Sequence, residues 1–197
     1  MLTPKSSKPH GYARLSHHGL RRLLHHPSMA LMSHWCFQSL FYMHRTERMV
    51  KIGLDLILTV GIGLGLTAII GHGYGWLLAW GIAHTINVCC NGHVWGVLKH
   101  FYPTGQTARS FERYREQLMH RITQASSIAT SEVIGSAVHT WTPYADLDIR
   151  LIRHAGLLNG IRASWFGIQE RTRAFVSRFP LDLYILDPHQ QSHETHA

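Results

Sequence analysis

Val133-Ile134-Gly135-Ser136, followed nine residues later by Asp146-Leu147-Asp148-Ile149-Arg150, is the stretch on which the reading of this chain turns. It has the pattern of a short buried strand, a Gly-Ser turn and a second strand. Side chains at i and i+2 of a strand point the same way. Asp146 and Asp148 therefore share a face, roughly 6.5–7 Å apart along the backbone. Two like charges that close repel unless a cation lies between them. One divalent metal, or a pair about 3.5–4 Å apart, fills that role. The backbone N–H groups of a Gly135-Ser136 turn, with the Ser136 hydroxyl, suit an anion. Carboxylates for metal beside a turn for phosphate are the equipment of phosphoryl or nucleotidyl transfer.

Working outward from this stretch, Thr107 to Thr123 has Phe111, Tyr114, Leu118 and Ile122 at the spacing of an amphipathic helix. The spacing predicts a first strand over 131–136 and a second over 147–152. Gly156 opens a long helix through Arg178, with Ile161, Trp165, Ile168, Thr172 and Phe175 along one side. Its arginines (Arg162, Arg171, Arg173, Arg178) read as a wet face. Leu181 to Leu186 is a third strand, stopped by Asp187-Pro188. If the helix packs over the sheet and crosses back, this strand lies beside the one carrying Asp146 and Asp148. Asp182 then joins them, and three carboxylates from two strands form an oxygen-donor site suited to magnesium. Four of the chain's five aspartates lie at or after Asp146, which makes an incidental pair harder to credit.

Gly135-Ser136, the nine-residue spacer, Asp146-x-Asp148 and the later Leu181-Asp182-Leu183 together resemble the DNA-polymerase-β-like nucleotidyltransferase superfamily, in its minimal form. The resemblance covers about 106 to 188. It implies an α/β (α+β) domain with a small mixed sheet and flanking helices. It also implies that Gly135 and Ser136 hold a nucleoside triphosphate, that Asp146 and Asp148 bind two Mg2+ ions, and that Asp182 completes the site as metal ligand or base. The implied reaction moves a nucleoside monophosphate onto an acceptor hydroxyl or phosphate and releases pyrophosphate. Two positions depart from the pattern. Ala137-Val138-His139-Thr140 stands where members often have Arg-Gly, and Ala145 stands in place of a serine before the first aspartate. His139 and Arg150 are the residues that could compensate.

The N-terminal half has another character. Charged residues make up only 15% of the chain, against 45% hydrophobic, below the ~25% charged of an ordinary soluble protein. The formal net charge is +8, and no acid precedes Glu47, whereas Lys5, Lys8, Arg14, Arg21, Arg22 and Arg45 do. Such an arm suits an anionic lipid surface or nucleic acid, and the apolar segment after it favours lipid. Adjacent histidines on a helix diverge by about 100°, so His17-His18 and His25-His26 read as part of a basic face. Pro27 to Met43, broken by Ser33, His34, Gln38 and Ser39, reads as an interfacial helix. Ile52 to Ile70 carries Asp55 as its only charge, and its length covers close to the ~30 Å hydrocarbon core. A glycine-rich turn over 71–75 leads to a second apolar segment, Trp76 to Leu98, and the two together read as a transmembrane helical hairpin. Asp55 could face a residue such as His93 on the returning helix, or lie near the headgroups. Basic residues flank both open ends of the hairpin and none occupies its turn, so both termini are expected in the cytoplasm.

The expected organisation is a basic arm with an interfacial helix (1–48), a transmembrane hairpin (49–104), a nucleotidyltransferase-like domain (105–188) and a tail (189–197). Cys36, Cys89 and Cys90 form neither a disulfide framework nor a zinc pattern. The expected partners are a nucleoside triphosphate, membrane lipid and an acceptor of unknown identity that is itself membrane-linked. Glycines in the first span leave room for oligomerisation through the hairpin. No aromatic-basic stripe supports nucleic acid as acceptor. The alternative from another class is a catalytically inactive domain of this type, serving as a membrane-tethered binding or scaffold subunit.

Overall fold

Leu147-Asp148-Ile149-Arg150-Leu151-Ile152-Arg153 forms the middle strand of a three-stranded sheet, and its alternation sorts the molecule into two faces. The computed structural model describes residues 26–37, 45–91, 94–98, 101–103, 105–134, 142 and 145–188. The strands β1 (Ile128–Ile134), β2 (Leu147–Arg153) and β3 (Leu181–Leu186) lie in that order. β1 runs antiparallel to β2 and β3 runs parallel to it. Leu147, Ile149 and Leu151 are fully buried, and their neighbours Asp148, Arg150 and Ile152 are half-buried. The architecture is mixed α+β, a small sheet with flanking helices.

Two helices cover the buried face. Helix α5 (Ala108–Gln124) starts at Thr107, whose hydroxyl accepts from the Ser110 N–H while the Ser110 hydroxyl accepts from the Thr107 N–H. This reciprocal pair satisfies two donors that a helix start would leave open. Its Phe111, Leu118 and Ile122 enter the core with Leu147, Ile149, Leu151, Leu181, Leu183 and Phe179. Helix α6 (Leu157–Val176) crosses from β2 back to β3. Its buried stripe is built largely of small residues, including Gly160, Ala163, Ser164, Gly167 and Ala174. A Cβ on Gly167 would lie 2.8 Å from Ile185 Cδ1. The close approach of helix to sheet therefore selects small residues, and turns Ile161 and Trp165 outward, 43% and 52% exposed. Of the row Ile161, Trp165, Ile168, Thr172 and Phe175, Ile168 is the buried apolar member.

The arginines of α6 are not uniformly a wet face either. Arg171 is 2% exposed, pairs with Glu47 at 2.7 Å and donates to the Leu183 carbonyl at 2.6 Å. Glu170 is fully buried and accepts from Arg121 Nε at 2.9 and 3.0 Å, from Arg121 Nη2 at 2.8 Å, and from Arg173. Arg171 and Glu170 thus both meet opposite charges, the condition under which burial is tolerated.

N-terminal to this unit lie α1 (Pro27–Phe37), α2 (Arg45–Ile70), α3 (His72–Asn91) and the short α4 (Val94–Leu98). α2 and α3 pair antiparallel: Asn87 donates to the Lys51 carbonyl, His84 meets Asp55 at 2.9 Å, and Gly63 faces Trp76. A Cβ on Gly63 would lie 2.4 Å from the Trp76 ring, so the two helices can approach this closely only with glycine there. The base of the pair docks on α6, where Thr172 donates to the Cys90 carbonyl and Trp95 to the Phe175 carbonyl. The turn is confined to Gly71, with helix resuming at His72.

Only one of the two helices has the length and apolarity to cross a membrane. Arg45–Ile70 qualifies by composition, and the expected two-helix transmembrane hairpin is corrected to a single candidate span. The reason lies in α3 itself. Its His84, Asn87 and Asn91 are buried against protein. The partner of Asp55 is His84, not His93, which lies outside the described residues.

Candidate metal site on the open sheet face

The acid cluster follows from strand alternation and register. Ala145 and Leu147 are buried, as are Leu181 and Leu183, so Asp146, Asp148 and Asp182 are directed to the opposite, half-exposed face. The Leu147 N–H donates to the Pro180 carbonyl at 2.9 Å, tying the start of β2 to the residue that precedes β3. That bond aligns the strands with Asp148 opposite Asp182 and Leu147 opposite Leu181. Asp146 sits just before β2, one step beyond Asp148 on the same side.

One carboxylate oxygen from each of the three acids lies within 4.8 Å of the other two. Like charges at that separation repel by roughly 3 kcal/mol per pair at an effective dielectric of about 20, and by less where water reaches them. A cation between them reverses the sign. Donors that are all oxygen, half-exposed and gathered from two strands fit a hard divalent ion such as magnesium or manganese, which keeps several waters or substrate oxygens. Among the described residues no other three His, Cys, Asp or Glu gather in this way. Tyr184, two residues past Asp182, shares the face. Burial, then the charges of Asp182 and Asp148, push its phenol above the ordinary range, while Arg171 and Arg150 partly oppose them.

Asp146, Asp148 and Asp182 are thus brought together as expected. Gly135 and Ser136, expected to hold phosphate, lie outside the described residues, as does His139. Ala145 is buried, and its N–H donates to the Thr142 carbonyl. The reading of the sequence overlooked Tyr184. The period of two that selects Asp182 selects Tyr184 as well, so the signal was present.

Fold and site together define an α+β chain with a three-carboxylate, oxygen-donor group at the start of two parallel strands. Comparison with protein-family models, with curated proteins and with solved structures finds no match.

Proposed function

We propose that the chain is a membrane-anchored, metal-dependent nucleotidyltransferase of the DNA-polymerase-β-like kind, moving a nucleoside monophosphate from a nucleoside triphosphate to a membrane-linked acceptor. The observation that carries this reading is the convergence of Asp146, Asp148 and Asp182 within 4.8 Å. Asp146 and Asp148 would hold two magnesium ions, with Asp182 closing the site from β3. Magnesium, when bound, supplies charge neutralisation for the triphosphate and makes an acceptor hydroxyl more acidic. The acceptor oxygen would form its bond to the α-phosphorus as the bond to pyrophosphate breaks, with Asp182, if not a metal ligand, taking the acceptor's proton. Holding both reactants in line on a rigid sheet contributes through proximity.

What supports the anchor is α2, an apolar 26-residue helix that exposes Ile52, Leu56, Ile57, Leu64, Ile69 and Ile70. In this reading the Arg45 end of α2, which meets α6 through the Glu47–Arg171 pair, lies on the side of the nucleotide pool. Purified protein supplied with radiolabelled nucleotides, magnesium and a membrane extract transfers label, and Asp148→Asn does not. Equal transfer by both proteins ends the proposal.

Ala145, which offers no hydroxyl where related sites carry serine, favours a second reading: an inactive domain of the same type acting as a tethered scaffold. Calorimetry separates the two, since a scaffold shows no nucleotide binding with magnesium present.

A further inference from the structure

The open face of the sheet carries a second row beside the acids. Arg150 stands opposite Tyr184 on β3 and opposite Glu132 on β1. This row is one strand repeat, roughly 6.5–7 Å, from the row of Asp148 and Asp182. Arg150 is half-buried and Tyr184 is 38% exposed, so a planar cation and an aromatic ring lie side by side on the face that holds the acids.

Three carboxylates and a triphosphate together outweigh two divalent cations, so a protein cation belongs within reach of the phosphates. The stretch between Ser136 and Asp146 contains neither arginine nor lysine. Arg150 is the arginine that β2 itself directs to the face of the acids, and a guanidinium matches the paired oxygens of a phosphate. A ring beside it offers a base the flat surface on which nucleobases stack. We propose that Arg150 and Tyr184 are the nucleotide-gripping residues of this site, Arg150 meeting the polyphosphate and the Tyr184 ring stacking on the nucleobase. The assignment rests on the transferase reading above and adds to it where the nucleotide lies.

A cross-strand contact of Arg150 with Glu132 would account for the same arginine by sheet stability alone, and binding measurements separate the two. Calorimetric titration of the full chain with manganese present, using ATP and then inorganic tripolyphosphate, gives four arms. Arg150→Met weakens both probes by about ten- to a hundredfold, and Arg150→Lys, which keeps the charge without the fork, falls between. Tyr184→Leu weakens ATP by about fivefold or more and leaves tripolyphosphate unchanged, and Tyr184→Phe restores ATP binding. Thermal melts establish that each variant is folded, and Arg150→Lys serves if Arg150→Met is not. Unchanged tripolyphosphate affinity in a folded Arg150 variant overturns the phosphate role, and unchanged ATP affinity in Tyr184→Leu overturns the stacking role. If both hold while Asp148→Asn still abolishes ATP binding, the transferase reading survives without this inference. If the unaltered chain binds no ATP, both fall together.

Discussion

The two faces of the sheet treat charge in opposite ways. On the helix-covered side, Glu170 is held by Arg121 and Arg173, and Arg171 by Glu47 and a main-chain carbonyl. On the open side, three carboxylates gather with their oxygens within 4.8 Å. Opposite charges brought together hold helices to one another and to the sheet. Like charges brought together are an arrangement that a divalent cation stabilises. The first arrangement is architecture and the second is the candidate site, and the difference predicts how each responds to substitution.

The largest expected effect is on the open side. Asp148→Asn lowers transfer by about a hundredfold or more, since even the loss of an outer-shell partner of a metal site costs about ten- to a hundredfold. Its melting temperature in metal-free buffer changes little, because Asp148 lies on the half-exposed face of the sheet and not in the core. Parallel loss of activity and stability would erase the contrast between the faces. Next is Arg171→Met on the covered side, which takes from buried Glu47 the guanidinium at 2.7 Å. We expect a loss of about 3 kcal/mol in denaturant unfolding, together with loosening of α2 and α3 from α6. A neutral result would mean that this pair is dispensable.

The smallest effect concerns Tyr114, stacked on Phe179 with ring centroids 3.9 Å apart. Its buried hydroxyl has no hydrogen-bond partner among the described residues. Tyr114→Phe should be neutral or stabilising by up to about 1 kcal/mol. Burial first, and then the Glu170 charge, hold the Tyr114 phenol above its ordinary value, with Arg121 and Arg173 opposing. The folded chain therefore keeps a proton that the unfolded chain releases above about pH 10. Stability is fully present below that pH and falls as pH rises beyond it. Unfolding curves between pH 8 and about 11 should show a shallower alkaline loss in Tyr114→Phe; an identical loss in both would assign the dependence elsewhere, Tyr184 included.

How much of this was legible in sequence depended on whether the deciding contact was local. β3 matches its expected span because Leu181-Asp182-Leu183-Tyr184-Ile185-Leu186 alternates cleanly between Pro180 and Asp187-Pro188. α5 is legible from its helical spacing and the Thr107 cap. β1 begins earlier than expected, at Ile128, because the register shift between Ile128 and Thr130 breaks the alternation that marks a strand. The burial of Arg171 was hidden because its partner, Glu47, arrives from a distant helix. The polar side of α3 was underestimated for the same reason: Asn87 and His84 are satisfied by α2 and α1, through the carbonyls of Lys51 and Trp35 and the carboxylate of Asp55. Alternation located the three acids, but which strands became neighbours was decided by the α6 crossover.

The most direct test is a manganese titration of the purified chain followed by electron paramagnetic resonance, comparing the unaltered protein with Asp148→Asn and Asp182→Asn. We expect free-ion signal to be lost as manganese binds the unaltered chain, and either substitution to weaken this binding by about tenfold or more. Equal binding by all three proteins, or none by the unaltered chain, would contradict that expectation.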